Sequence, residues 1–483
     1  MRGRPLRLSL SLSRSLALAV ALAALPSAAL AHTGERALAL LLPTEIWAPA
    51  GTAVVALTAL LLAFVRGDRL ARLAEGAALP VALPSAAGLG TGLSLLSAAI
   101  LAGLCLMGWF GPRNPLVNLA TLALWTGVIA LLPAAQLAFG NLWGAINPWS
   151  GPLRLASRLH PRLSRPMLRL PERLGAWPAV ASWLAIMSFA LADRAPLDPA
   201  RVASVMAGYW AAIFALGLVF GAPALRRIEG LGLWLSLFAA LAPLRIEHGR
   251  PRLRLPGLGP AAAGRAGLVV GAGGFAVAAL GAGSFDGFNE TFVWLDFLGV
   301  NPLQFPGRSA VRTETMLGLY AAVALMAAIF VACTLAGLAL AGLRPARGIA
   351  RALEALALGL VPIVAGYHVA HYLPATLVET QYLLVALGDP LDRGWDLTGL
   401  DYGHAQVTTS FFNQYHTVRL IWLAQAGAVV AGHAAGIAVA HLAALRLADG
   451  DPRRAARSQF PLALFMVVYT LFGLWLLAAP TGA

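Results

Sequence analysis

The chain has 483 residues, 59% of them apolar and only 12% charged. An ordinary soluble domain carries about 25% charged residues, so this composition excludes a solvated shell around a core of this size. The formal net charge of +14 would point to nucleic acid in a soluble protein. Here every basic residue is Arg and the arginines fall in the connections between apolar blocks, which excludes a nucleic-acid partner and makes the lipid bilayer the expected one. Cys105 and Cys333 both lie inside apolar blocks, so no disulfide framework is expected.

At the N-terminus Arg2, Arg4, Arg7 and Arg14 precede an apolar run from Leu16 to Leu25, then Pro26, Ser27 and the small triplet Ala29-Leu30-Ala31. This is the order of a secretory signal peptide. Residues 1–31 are expected to be removed, leaving His32 first in a polytopic membrane domain of 32–483. An N-terminal His chelates through its α-amine and ring, a geometry that favours copper.

Blocks long enough to cross hydrocarbon as helices predict an all-α transmembrane bundle. Ten spans are expected, at 46–65, 91–110, 117–139, 177–192, 202–221, 267–284, 314–343, 352–374, 417–445 and 459–479. Arginines at 66–72, 154–173, 226–254, 344–351 and 453–457 then fall in alternate connections. The positive-inside bias places those in the cytoplasm, with the mature N-terminus and the C-terminus periplasmic in an inner membrane. Residues 231–243 are apolar but too short to span comfortably, and read as an interfacial or re-entrant helix on the cytoplasmic side. Residues 141–176, with Trp143, Trp149 and spaced arginines, read as an interfacial stretch.

The longer connections near 285–313 and 375–416 gather acids and aromatics on the opposite, periplasmic face. Loops of that length usually form a lid or a site. His368 and His371, three apart on one predicted helix, share a face and suit metal ligation. With His32, His404, His416 and Glu379 they supply a candidate ligand set for copper or zinc. Asp286 and Glu379 are candidate catalytic carboxylates, as ligand or general base, and Asp286 also suits a helix cap. His433 and His441 lie along the ninth span, eight residues apart, where helix packing competes with a proton relay. Asp296, Arg393, Trp395 and Asp396 are candidate loop residues of the outer face, Arg393 suited to an ion pair that fixes its loop. His160 and His248 fall in cytoplasmic Arg-rich stretches. Serine-hydrolase, nucleotide-binding and CxxC signatures are absent.

Several segments in order resemble one family: Asn147-Pro148-Trp149, Ser284-Phe285-Asp286-Gly287, Phe292-Val293-Trp294-Leu295-Asp296, Val369-Ala370-His371-Tyr372, Arg393-Gly394-Trp395-Asp396, and Gly432-His433 with His441. Together with a signal ending before His32, they resemble the bacterial membrane proteins of the fenitrothion-hydrolase-like family. That resemblance implies cleavage of the aryl ester bond of an organophosphorothioate. The expected function is a membrane-embedded, metal-dependent hydrolase with a periplasmic site and a lipophilic small-molecule substrate. Its competitors are a copper-handling or transport protein that uses the same outer histidines, and a non-catalytic assembly subunit.

Overall fold

The computed structural model describes residues 44–62, 67–80, 87–160, 163, 165–247, 250–262, 267–301, 307–345, 348–399 and 407–479. The expected signal segment, His32, His248 and His404 lie outside them.

The helices, in chain order, are α1 (Thr44–Leu62), α2 (Gly67–Glu75), α3 (Ala87–Phe110), α4 (Leu119–Phe139), α5 (Ser150–Leu159), α6 (Trp177–Ala192), α7 (Pro199–Phe220), α8 (Gly230–Leu241), α9 (Ala272–Phe288), α10 (Phe292–Phe297), α11 (Arg312–Leu340), α12 (Ile349–Ala357), α13 (Val361–Gly388), α14 (Tyr415–Leu447) and α15 (Pro452–Ala478). Among the described residues, seven stretches are long and apolar enough to cross a membrane: α3, α4, α7, α11, α12 with α13, α14 and α15. The chain is therefore a multi-pass helical membrane protein. The architecture is all-α as expected, and the described residues add one small sheet. β1 (Ala77–Ala78), β2 (Leu244–Glu247) and β3 (Arg250–Leu253) form an antiparallel sheet in the order β1-β3-β2, with Ala77 opposite Leu253 and Arg245 opposite Arg252. Two Arg-rich connections are thereby stitched together through their backbones, which periodicity in such short polar stretches does not announce.

The segment after Pro374 corrects the sequence reading. A proline inside a helix frees the carbonyl four residues back and commonly marks a stop, and 375–416 was expected as a loop. In the structure α13 continues to Gly388. The carbonyl of Ala370, the one Pro374 cannot serve, accepts a 2.7 Å bond from the Gln425 side-chain amide of α14. Within a bundle such rescue keeps a helix whole across proline. Gln425→Leu is expected to cost about 1–3 kcal/mol by leaving that buried carbonyl unpaired. Thermal unfolding in detergent measures it, and an unchanged midpoint would show that Gln425 is not what sustains α13.

The short apolar block at 231–243 forms α8, which is sunk into the bundle instead of lying on its surface: nine of its twelve residues are buried. Its N-terminus is capped by Glu229, whose side chain accepts from the Gly232 N–H. At its other end the buried Arg254 guanidinium donates to the carbonyls of Ala240 and Ala242, both at 2.9 Å. The carboxyl at the start and the guanidinium at the end satisfy backbone groups that a helix leaves open at its termini. Both ends are thus tied to the Arg-rich connections. The start of α9 is held in a similar way, by the Glu354 carboxylate of α12 accepting from the N–H groups of Gly271 and Gly273.

Candidate functional site

A carboxylate in an apolar span is costly unless it is paired, and Asp286, near the end of α9, is 8% exposed. Its Oδ2 lies 3.3 Å from His371 Nε2 and accepts a 3.2 Å hydrogen bond from the Tyr372 hydroxyl. Both partners come from α13, whose packing against α9 brings the Asp286 and His371 turns level. One turn earlier on the same helix, Tyr367 stacks on His371 with ring centroids 5.7 Å apart. The spacing of four residues puts them on one face.

His368 belongs to the same cluster but turns to different neighbours. Its ring meets Trp234 and Phe238 of α8 edge-on, at centroid distances of 5.1 and 5.2 Å, and lies 4.5 Å from the Tyr372 ring. Helix α8 is thus the floor on which His368 rests.

These groups border one cavity enclosed by α4, α6, α8, α9 and α13. Its wall includes Trp125, Trp183, Trp234, Asp286, Tyr367, His368 and Tyr372. The space open to the centre of a water-sized sphere is about 40 Å³, enough for a few waters. Three polar atoms of wall residues, Trp183 Nε1, the Tyr367 hydroxyl and His368 Nε2, are buried with no hydrogen-bond partner among the described residues. Each such atom costs about 1–3 kcal/mol when left unsatisfied. All three stand in one wall, beside the Asp286 carboxylate.

Helix α4 contributes a feature no sequence pattern announced. Its middle, Ala123–Leu131, is wound as a π-helix, a form that is rare and often found at functional sites. The widened turn presents Trp125 and Ile129 to the cavity. Thr126, in the same stretch, donates a 2.9 Å hydrogen bond to Glu379.

The remaining candidates are distributed as follows. Glu379 sits eight residues beyond His371 on α13, about 12 Å along the helix, and is bound to Thr126, away from Asp286. His416 is exposed at the start of α14 beside Tyr415. His433 is buried, with Nδ1 2.8 Å from the Val429 carbonyl and its ring 6.0 Å from that of Tyr469. Tyr469 in turn is hydrogen-bonded to Ser284. His441 Nδ1 is 2.6 Å from the Gln459 amide. Asp296 is exposed on α10, and Arg393, Trp395 and Asp396 are exposed in the loop after α13. There Arg393 lies over the Trp395 ring at 5.9 Å, and Asp389 accepts from the N–H groups of Arg393 and Gly394. Those backbone bonds hold the Asp389 carboxyl below the usual range. Among the described residues, no three or more His, Cys, Asp or Glu side chains come together as a metal site. Of the outer ligands expected from the sequence, His416 and Glu379 do not gather around His368 and His371, and His32 and His404 lie outside the described residues.

Tyr372, Tyr367 and the three tryptophans of the wall were not singled out from the sequence. The tyrosines flank the histidine pair directly, and their spacing of four from His368 and His371 was the available signal. In comparisons with known proteins, the chain matched no family model, no curated protein and no solved structure.

Proposed function

We propose that this chain is an inner-membrane hydrolase of a lipophilic ester, of the phosphorothioate aryl type that the family resemblance implies. The observation that carries the reading is the cavity wall itself: a paired buried carboxylate beside three polar atoms without partners. In this reading Asp286, steadied by His371 and Tyr372, takes a proton from a water in the cavity. The water oxygen bonds to phosphorus as the bond to the aryl oxygen breaks. The Tyr367 hydroxyl and His368 Nε2 supply hydrogen bonds to the phosphoryl sulfur or to the departing aryloxide. In this reading protein groups carry the hydrolysis; a metal held at His368 and His371, as in the metal-dependent hydrolase expected from the sequence, would be the other route, and the chelator arm of the test separates the two. The aryl ring lies against Trp125, Trp183 and Trp234. Since the cavity holds only a few waters as it stands, the ester is admitted by movement of flexible wall residues such as Met187.

The same reading has about ten spans, α1, α6 and α9 completing the seven longer ones. The Arg-rich face is cytoplasmic, with both ends of the mature chain periplasmic. A lipophilic ester then reaches the cavity from the bilayer.

The test is nitrophenol release from a nitroaryl phosphorothioate by the purified protein in detergent, with and without chelator, alongside its metal content. Turnover that survives chelation and falls in Tyr367→Phe supports the proposal. Stoichiometric metal without turnover favours ion handling instead, and neither metal nor turnover favours an assembly subunit.

A further inference from the structure

Glu229 lies in the connection between α7 and α8, outside the spanning helices, next to Arg226 and Arg227. A sequence reader expects a solvated ion pair. The structure has it otherwise. The two arginines donate to backbone carbonyls, Arg226 to Gly267 and Arg227 to Gly175, Pro171 and Glu172. Glu229 is 5% exposed, and no cation is paired with it among the described residues. It accepts a 2.6 Å bond from the Tyr209 hydroxyl of α7 and another of 2.6 Å from the Gly232 N–H. From α6, Ser182 holds the Gly230 N–H and the Tyr209 hydroxyl, at 3.0 and 2.9 Å. The titratable or charged groups facing Glu229 are thus Tyr209 alone, with Arg226 and Arg227 engaged elsewhere.

We propose that α8 is a proton-sensitive floor: ionisation of Glu229 at the Arg-rich face loosens the helix that braces His368. The mechanical link is short. Trp234 and Phe238 of α8 hold the His368 ring edge-on, and Trp234 also stacks on Trp183 at 4.8 Å. Any movement of α8 therefore reshapes one wall of the cavity. The direction follows from the opposed forces on the carboxyl. Burial pushes it up to about 7, against the hydrogen bonds from Tyr209, Gly232, Leu231 and Trp143 that favour the ionised form. A group raised above its ordinary value binds its proton more tightly in the packed state. The packed floor is therefore favoured below about 7. As pH rises from about 5 towards 7, states that expose the carboxylate gain, by up to about tenfold per pH unit for one proton, and above about 7, where both states have lost it, the gain levels off. This holds whether or not the cavity hydrolyses esters, because it concerns the packing of α8 only.

Hydrogen exchange of the α8 amides tests it in the wild-type protein, after correction for the intrinsic pH dependence of exchange. Protection of residues 230–241 is expected to fall by up to about tenfold from about pH 5 to pH 6 and to level off above about 7, while α14 keeps its protection. In Glu229→Gln the extra loss disappears. The near-UV circular dichroism of the Trp183–Trp234 pair, assigned with Trp234→Phe, is expected to change over the same interval in wild type and not in Glu229→Gln. Asp286, His368 and His371 stand at the cavity end, so a transition that survives in Glu229→Gln belongs to a group other than Glu229 and overturns the proposal. So does wild-type protection of α8 that is the same at both pH values. Should Glu229→Gln fail to fold, the wild-type comparison of α8 with α14 still decides.

Discussion

Replacing Asp286 by Asn is expected to lower turnover of a nitroaryl phosphorothioate by about 10²- to 10⁴-fold, the range contributed by a positioned general base. Asn is close to isosteric with Asp. Its oxygen can still accept from Tyr372, and its amide can still face His371 Nε2, so the packing of α9 on α13 is preserved. What disappears is the negative oxygen that takes the proton from water. Tyr372→Phe removes only one of the two bonds that steady the carboxylate, at 3.2 Å, and leaves the pair with His371 at 3.3 Å. Its expected loss is smaller, about 10- to 100-fold, in line with one hydrogen bond to a charged group. Steady-state kinetics on protein shown to be monodisperse and equally heat-stable decides between chemistry and folding. An Asp286→Asn enzyme with wild-type kcat would leave the carboxylate a structural role and end the proposed mechanism.

How much of this was legible in the sequence depends on what each residue is bonded to. The long spans were legible because hydrocarbon demands unbroken apolar runs; α3, α4, α7, α11 and α14 begin and end within a few residues of those runs, and α15 starts earlier, at Pro452, on its Arg-bearing turns. Asp286 was legible for the converse reason, as an acid where acids are expensive. The extension of α13 was not, because the residue that rescues the break at Pro374 is Gln425, on another helix. Nor was the division of labour between His368 and His371. Spacing puts them on adjacent positions of one face, but only the neighbouring helices, α8 for one and α9 for the other, decide where each ring is held. The π-helical stretch of α4 carries no distinguishing composition. Glu229 was invisible because its apparent partners, Arg226 and Arg227, are adjacent in sequence yet spend their hydrogen bonds on carbonyls.

The residues that fix the site most firmly carry no side chain at all. Helices α13 and α14 cross through Gly359, Gly366, Gly432 and Gly436, the last two spaced four apart as in small-residue contacts between membrane helices. A Cβ on Gly432 would stand 2.7 Å from the Pro362 carbonyl oxygen and 3.2 Å from the Gly366 Cα. One on Gly436 would meet the Gly359 carbonyl oxygen at 2.5 Å. These neighbours are backbone and cannot swing aside. Gly432→Ala is therefore expected to destabilise by about 1–3 kcal/mol, the usual cost of overpacking. Gly432→Leu, with three further carbons to place, must push the two backbones apart and cost more. Helix α13 carries Tyr367, His368, His371 and Tyr372 on the stretch next to this crossing. Separation of the helices there draws His371 and Tyr372 away from Asp286, so the Leu variant is expected to lose activity along with stability. In Gly432→Ala the smaller displacement lowers the unfolding midpoint first. Unfolding midpoints in detergent for the Gly, Ala and Leu series test the account. A Leu variant as stable as the parent would mean that the two helices do not meet where these glycines place them.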